Sequence, residues 1–372
     1  MNLTETQDQR ALRDQARGFL ERRYPISRVA ALADGDGFPR QGWEEIAELG
    51  WTAIGVSEGS GGAGLGFAEE AVLAEELGRA LFPGPFLATV ILALPALAAD
   101  LELQKEVAFG RAPATLAWAG PDGAFETDRF PVGVGRGARR HHLYGSTWFV
   151  PDLALAEIAV VAGEGSQGPG VWGVRLGGDG VSRRDLPTID ATRRLGALFL
   201  EGAEGTLLAE GEAAVELLDR IRDRVLAALA MEAVGVASTA LEMAVQHART
   251  RAQFGRPIGA FQAVSQQLAE AYVEVESARS LSLWAAAEVA SGHGDRYRVA
   301  AAAKAFATEA AVRTCERAIQ VHGGMGFTWE HPLHRFYRRA EWILAFMDRP
   351  TGLRERVAAS LLDPAEVSEG DG

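Results

Sequence analysis

Four long alanine-rich blocks fill the chain from about residue 211 to 362: EAAVELLDRIRDRVLAALAMEAVGVASTALEMAVQHART, AFQAVSQQLAEAYVEVESARSLSLWAAAEVA, RYRVAAAAKAFATEAAVRTCERAIQV and HPLHRFYRRAEWILAFM. Breaks fall only at residues 254–259, 291–294 and 323–326. Long helices with short connections leave an antiparallel bundle as the expected architecture. Residues 112–210 have another texture. They are glycine-rich, and their apolar runs are short: ATLAWA, HHLYGSTWFV, EIAVVA, GVWGVRL, GALFLEG. Turn residues separate these runs, which predicts an all-β domain. Residues 1–111 read as helical. Thr4 and Gln7 suit a capping box, and Leu12, Ala16, Phe19 and Leu20 follow at helical spacing. A short helix over 43–49 should stop at Gly50. Another should run from Phe67 to Leu81 and stop before Pro83, and LFPGPFLATVILALPALAA reads as one more. The last stretch, residues 363–372 (DPAEVSEGDG), reads as a disordered tail.

Charge and cysteine usage exclude some functions. A net charge of −13 over 372 residues argues against a general nucleic-acid binder, which needs a positive footprint. Anionic substrates could still be met locally by Arg251 or Arg338. The one cysteine, Cys315, precludes an intrachain disulfide and sits in a helical run as a small buried hydrophobe. The N-terminus is polar from its start, with no apolar signal region. The longest apolar run, residues 86–99, is too short to span a bilayer and contains Pro95. A cytoplasmic protein with no membrane partner is expected.

Several constellations invite chemistry. Gly59, Gly61 and Gly64 fit G-x-G-x-x-G between a short apolar run and a helix, but no second strand follows at βαβ distance. A glycine-rich connection explains them better than a phosphate cradle. His331 and His334, three apart, could face a zinc ion, yet no carboxylate or thiol stands at ligand spacing, so packing or surface histidines are the preferred reading. No metal is expected. His141 and His142, beside Arg139 and Arg140, read as solvated hairpin residues. The stretch RTRAQFGRPIGAFQ, residues 249–262, breaks two long helices and offers an arginine, a phenylalanine and a glutamine on one connection. These could hold a phosphate and a flat ring; a plain helix–helix turn is the other reading. Gln320 precedes Gly323 and Gly324, whose backbone N–H groups could approach an anion closely.

Taken together these two stretches resemble the acyl-CoA dehydrogenase family. R-x-Q-F-G-x-P-I-x-x-F-Q stands at residues 251–262, and Q-x-x-G-G-x-G-F-x-x-E-x-P-x-x-R-x-x-R at 320–338. GWEEIAELGWTAIGVSEGSGGAGLG is similar to the family's first-domain signature, and YGSTWFVPDLALAEIAVVA to its β-domain segment. The resemblance spans nearly the whole chain. It implies an α+β fold: an N-terminal helical domain, a middle β-barrel or sandwich, and a C-terminal four-helix bundle. It also implies FAD, an acyl-CoA substrate and desaturation between Cα and Cβ, with a glutamate removing the α-proton. Family members are usually tetramers in which each flavin lies at a dimer contact. Carried over, Arg251 would reach the FAD pyrophosphate of a neighbour, Phe254 and Gln262 would border that FAD, and Gln320, Gly323 and Gly324 would line its adenosine end. Trp148 stands where the family places a tryptophan against the flavin.

The departures from the pattern carry their own expectation. Counting from Gln320, the glutamate position falls on Met347, which cannot accept a proton; Asp348 follows, where glycine is usual. The alternative base position of the isovaleryl and long-chain branches falls on Val225. The family's Thr-Glu-Pro segment reads Ala119-Gly120-Pro121, and the threonine two residues after the tryptophan is Val150. Contacts to the chain's own flavin are weakened while those lent to a neighbour are kept. The expectation is therefore a base-lacking subunit of an α2β2 assembly with a second acyl-CoA dehydrogenase chain, of the kind known in steroid side-chain breakdown. Three rivals stand beside it: a homotetramer using Asp348 as base, or more weakly Glu232; a flavin-dependent oxygenase; and a non-catalytic scaffold subunit.

Overall fold

The computed structural model describes residues 5–35, 37–136, 141–292 and 294–362, with Arg136 described by its backbone alone. Helix α1 (Gln7–Arg23) opens on a reciprocal box. Thr6 Oγ1 accepts from the Gln9 amide at 3.1 Å, and Gln9 Oε1 accepts from the Thr6 amide at 3.0 Å. The box expected at Thr4 and Gln7 thus forms two residues later. Thr4 lies outside the described residues, as do Arg139, Arg140 and the tail from 363 onward. Then come α2 (Ile26–Asp34), α3 (Arg40–Glu48) and α4 (Phe67–Arg79). Gly50, at φ 78°, ends α3 as expected. Residues Leu87–Ala93 form a π-helix that runs into α5 (Leu94–Leu97), followed by α6 (Leu101–Ala108). Pro95 explains the widened turns. It has no N–H to donate and its ring repels the carbonyl one turn back, and the Leu94 amide already reaches five residues back, to the Thr89 carbonyl.

The β region comprises β1 (Ala114–Ala117), β2 (Val132–Arg136), β3 (His141–Pro151), β4 (Ile158–Gly165), β5 (Gly168–Arg175), β6 (Val181–Leu186) and β7 (Leu195–Glu210). Strands β4, β5, β7, β3 and β2 pair in that order, and β2 returns to β4 through Gly133 and Glu164. The sheet is therefore a closed barrel, with β1 attached to β4 and β6 attached to β7. Alternate residues point inward, such as Ala159 and Val161, Trp172 and Val174, Leu198 and Leu200. Trp172 accounts for some of the strand glycines. Its indole lies 3.3–3.4 Å from where a Cβ on Gly163 or Gly165 would stand, and a Cβ on Gly170 would collide with it. His141 is part of this packing rather than free in solvent: it accepts a 2.5 Å hydrogen bond from Trp172 Nε1. His142 Nδ1 lies 3.2 Å from the Gly202 carbonyl.

The last region holds α7 (Glu212–Thr250), the short strands β8 (Ala252–Gln253) and β9 (Arg256–Pro257), then α8 (Gln262–Ser291), α9 (Arg296–His322), α10 (Leu333–Ala345) and α11 (Pro350–Leu362). Helix α9 packs on α8, α10 and α11. A window of α7 is long and apolar enough to cross a membrane, but 89% of it is buried within the protein. Backbones of α7 and α4 touch at two glycines. A side chain on Gly235 would run into the Glu75 carbonyl, and one on Gly78 into the Glu232 carbonyl. Buried Glu75 and Glu76 are neutralised there by Arg13, Arg17 and Arg279. Cys315 is fully buried, and burial pushes its thiol pKa up.

Contacts gather the chain into two compact units. One holds the described part of Met1–Ser27, Ala71–Phe82 and the described part of Leu226–Gly372; the other holds Arg28–Glu70 and Pro83–Val225. Along the chain the order is helical, β-barrel, helical bundle: the α+β fold that the sequence predicts.

Candidate active site

The strands β8 and β9 form a tight hairpin that closes the end of α7. The Arg251 amide donates to the His247 carbonyl at 2.8 Å, and the Ile258 amide to the Arg251 carbonyl at 2.8 Å. The turn needs two left-handed residues, Phe254 at φ 53° and Gly255 at φ 78°. Glycine meets that demand without strain; phenylalanine does not. The Phe254 side chain is 91% exposed, its ring 6.1 Å from that of Phe261, over which Arg256 lies at 4.1 Å. Arg251 and Gln262 are also exposed. One connection thus displays a guanidinium, a flat ring and an amide.

The end of α9 joins this hairpin through histidines. His322 stacks on His247 with centroids 4.3 Å apart, which sets residues 320–324 beside the end of α7. Gln320 is exposed, and the Cα positions of Gly323 (φ 63°) and Gly324 face open space. Their backbone is approachable, as an anion would require. His331 lies against His322 at 4.5 Å, whereas His334 stacks on Trp329. The pair considered for zinc is therefore split between two stacks, and His331 precedes α10. Among the described residues no three His, Cys, Asp or Glu side chains gather as metal ligands. Burial lowers the pKa of His247 and His331, and the neighbouring imidazoles lower them further. His247 escaped sequence reading because two whole helices, α8 and α9, separate it from its stacking partner His322.

Trp148 lies in the other unit. Its amide donates to the Ala119 carbonyl at 2.9 Å, so the segments 119–121 and 148–150 are adjacent. Neither Ala119 nor Val150 offers a hydroxyl, and both are buried. The Trp148 ring packs edge-on against Phe199 at 6.0 Å and lies under the Arg184 guanidinium at 5.1 Å.

The bend after α10 carries Met347 and Asp348. Met347 is 4% exposed at φ 54°, and Asp348 has φ 88°. Fully buried Lys304 donates to the Asp348 carbonyl oxygen at 2.5 Å. Burial brings the Lys304 pKa down to about 7, opposed by the Asp348 carboxylate. Asp348 Oδ2 lies 3.2 Å from Arg356 Nη1. Lys304 was not singled out from the sequence, although a lone charge in AAAAKAFA was a signal. Val225 is fully buried, and Glu232, also buried, is bound to Arg339 at 2.6 Å. A carboxylate held by an arginine in the core is a structural ion pair, removed from proton abstraction.

A dinucleotide with a pyrophosphate needs a cation, open backbone amides and a flat apolar surface. The hairpin carries the cation and the flat surface; at the end of α9 the glycine backbone is approachable, although the Gly323 N–H already donates to the Ile319 and Gln320 carbonyls. The segments around Ala119 and Val150 lack the hydroxyls that would hold the polar edge of the dinucleotide's ring.

The sequence matches the acyl-CoA dehydrogenase N-terminal domain over residues 6–106 and the C-terminal domain over residues 222–345. Acyl-CoA dehydrogenase IpdE2 of Mycobacterium tuberculosis is 31% identical over 341 residues, 91% of this chain and 92% of that protein. The crystal structure of the ChsE4–ChsE5 complex from Mycobacterium tuberculosis is similar with a TM-score of 0.87 at 28% identity, covering 98% of this chain and 99% of the matched one. The Tcur3481–Tcur3483 steroid ACAD is similar with a TM-score of 0.86 at 28% identity, covering 96% and 99%. Both terminal domains and a relative matched along nearly the whole length lead to one assignment: the chain belongs to the acyl-CoA dehydrogenase family.

Proposed function

We propose that the chain is the base-lacking subunit of an FAD-dependent acyl-CoA dehydrogenase, completing the flavin site of a second, different dehydrogenase chain in an α2β2 assembly. The observation that carries this reading is the bend at 347–348. The family's base position holds a buried methionine, and the next residue has its carboxylate beside Arg356 and its carbonyl held by Lys304. Two similar structures are named as pairs of chains, and one of them as a steroid ACAD, which supports a mixed assembly acting on a steroid-derived acyl-CoA.

Desaturation requires that the α-proton go to a base and that hydride leave Cβ. Bound FAD supplies the hydride acceptor. Arg251 would balance pyrophosphate charge, Phe254 and Gln262 would border the same group, and Gln320 with the Gly323 and Gly324 backbone would line its adenosine end. Trp148 would mark the chain's own flavin position, which the missing hydroxyls at residues 119 and 150 would leave empty in the mixed assembly. The carboxylate that takes the proton comes from the partner chain.

Asp348 as base in a homotetramer is the second reading, favoured by its partial exposure on the bend. Co-expression with a neighbouring dehydrogenase chain separates the two. A mixed tetramer with two FAD per four chains, active only when mixed, is the expected result. A chain that alone binds one FAD per subunit and oxidises acyl-CoA would overturn the proposal in favour of the homotetramer. A mixed complex without flavin would overturn it in favour of a scaffold.

A further inference from the structure

The unit formed by Arg28–Glu70 and Pro83–Val225 contains a cavity of about 290 Å³. Val56, Leu65 and Phe67 form one wall; Val90, Leu94 and Pro95, from the widened helix and α5, form the other. Ala98 stands at its exposed mouth. Stretches of π-helix are rare and concentrate at functional sites, and here the widened turns supply Val90 to the wall.

Three polar side chains, Glu70, Gln104 and Arg224, line this otherwise apolar space, and Glu70 and Arg224 are paired. The Glu70 carboxylate, buried, accepts from Arg224 Nη2 at 2.5 Å. Gly55 backs it, since any Cβ there would collide with Glu70 Oε1. Arg224 lies over the Phe67 ring at 4.7 Å, and its Nε–H, also buried, has no acceptor among the described residues. Burial raises the Glu70 pKa, with Arg224 opposing. A buried donor left unpaired is unfavourable, so an incoming acceptor gains by meeting it. The Glu70–Arg224 pair has no net charge, and a second carboxylate beside Glu70 would be repelled. The favoured acceptor is neutral.

We propose that this cavity binds a hydrocarbon group bearing one neutral oxygen, a ketone or hydroxyl, with the oxygen on Arg224 Nε–H and the carbon skeleton between Phe67 and the Val90–Leu94 wall. The proposal does not rest on the flavin reading, because it concerns binding alone.

The test uses 2-decalone and its exocyclic-methylene isostere, which keeps the shape and loses the acceptor. Their binding to the full chain is measured by ligand-observed NMR competition. The ketone should bind about tenfold tighter, the worth of one hydrogen bond to a charged donor. The double variant Glu70→Met/Arg224→Met, which replaces the pair by apolar groups of similar length, should lose that preference and keep the isostere. Ala98→Trp, a change at the exposed mouth that spares the core, should abolish both. Equal binding of the two probes, binding of neither up to the ketone's solubility, a preference that survives the double variant, or binding unaffected by Ala98→Trp would each overturn the assignment.

Discussion

The β8–β9 hairpin and the bend at 347–348 share one backbone device and use it in opposite directions. Each places a bulky residue in the left-handed region, Phe254 at φ 53° and Met347 at φ 54°. At the hairpin the strained residue is presented outward, 91% exposed, among an exposed arginine and glutamine. At the bend it is folded in, 4% exposed, and the next residue is tied to Arg356 and to Lys304. Strain of this kind persists where the surroundings over-determine it. The hairpin's surroundings leave its ring in solvent; the bend's surroundings bury its side chain.

The largest effect should come from the hairpin. Arg251→Met should weaken FAD binding by the mixed assembly about a hundredfold, the loss of charge-assisted hydrogen bonds to an anion. Unchanged flavin affinity in a fluorescence titration would remove the hairpin from the site. Next, Met347→Gly should lower stability by about 2 kcal/mol, because the lost buried side chain outweighs the relieved strain. Phe254→Gly should stay within about 1 kcal/mol of the parent in urea unfolding, since only strain and chain entropy change. Equal losses at both positions would erase the distinction between them.

The third test concerns the anchor of the bend. Lys304 has a folded pKa of about 7 against an ordinary value of 10.5. Between these values the unfolded chain binds more protons, so stability rises with pH from about 7 toward 10.5 and is lost as pH falls back. The urea midpoint should therefore climb between pH 7 and 9, and the climb should flatten in Lys304→Met. A parallel climb in the variant would free the bend from Lys304. The smallest effect is expected for Asp348→Asn, with kcat of the mixed assembly within about twofold of the parent. A fall of about a hundredfold or more, the usual general-base contribution, would make Asp348 the base.

Periodicity and punctuation carried most of the fold. The helical blocks and the apolar strands became α7 to α10 and β1, β3, β4, β5 and β7. Strands β2 and β6 stayed hidden for a physical reason. VGVGR offers only Val132 and Val134 alternating with two glycines, a period too short to stand out, and four of the six residues of VSRRDL are exposed. The widened helix at residues 87–93 was visible only as a helix, because the effect of Pro95 depends on which carbonyl it displaces. The hairpin side of the candidate site was legible because its motif is contiguous. The Lys304–Asp348 contact joins residues 44 apart, and the Glu70–Arg224 pair joins residues 154 apart. Neither has a local sequence signature.

The two attached strands of the barrel have a consequence for how such a chain survives in a crowded solution. A strand bonded on one side only offers its free edge as a template for foreign chains. Strand β1 is four residues long and packed against the π-helix, so little edge is left to copy. Strand β6 is longer, and it is guarded by charge instead: Arg183, Arg184 and Asp185 stand exposed along it. Replacing those residues with valine would turn a quiet rim into a sticky one, and the fault would surface as precipitation during expression long before it surfaced as lost chemistry.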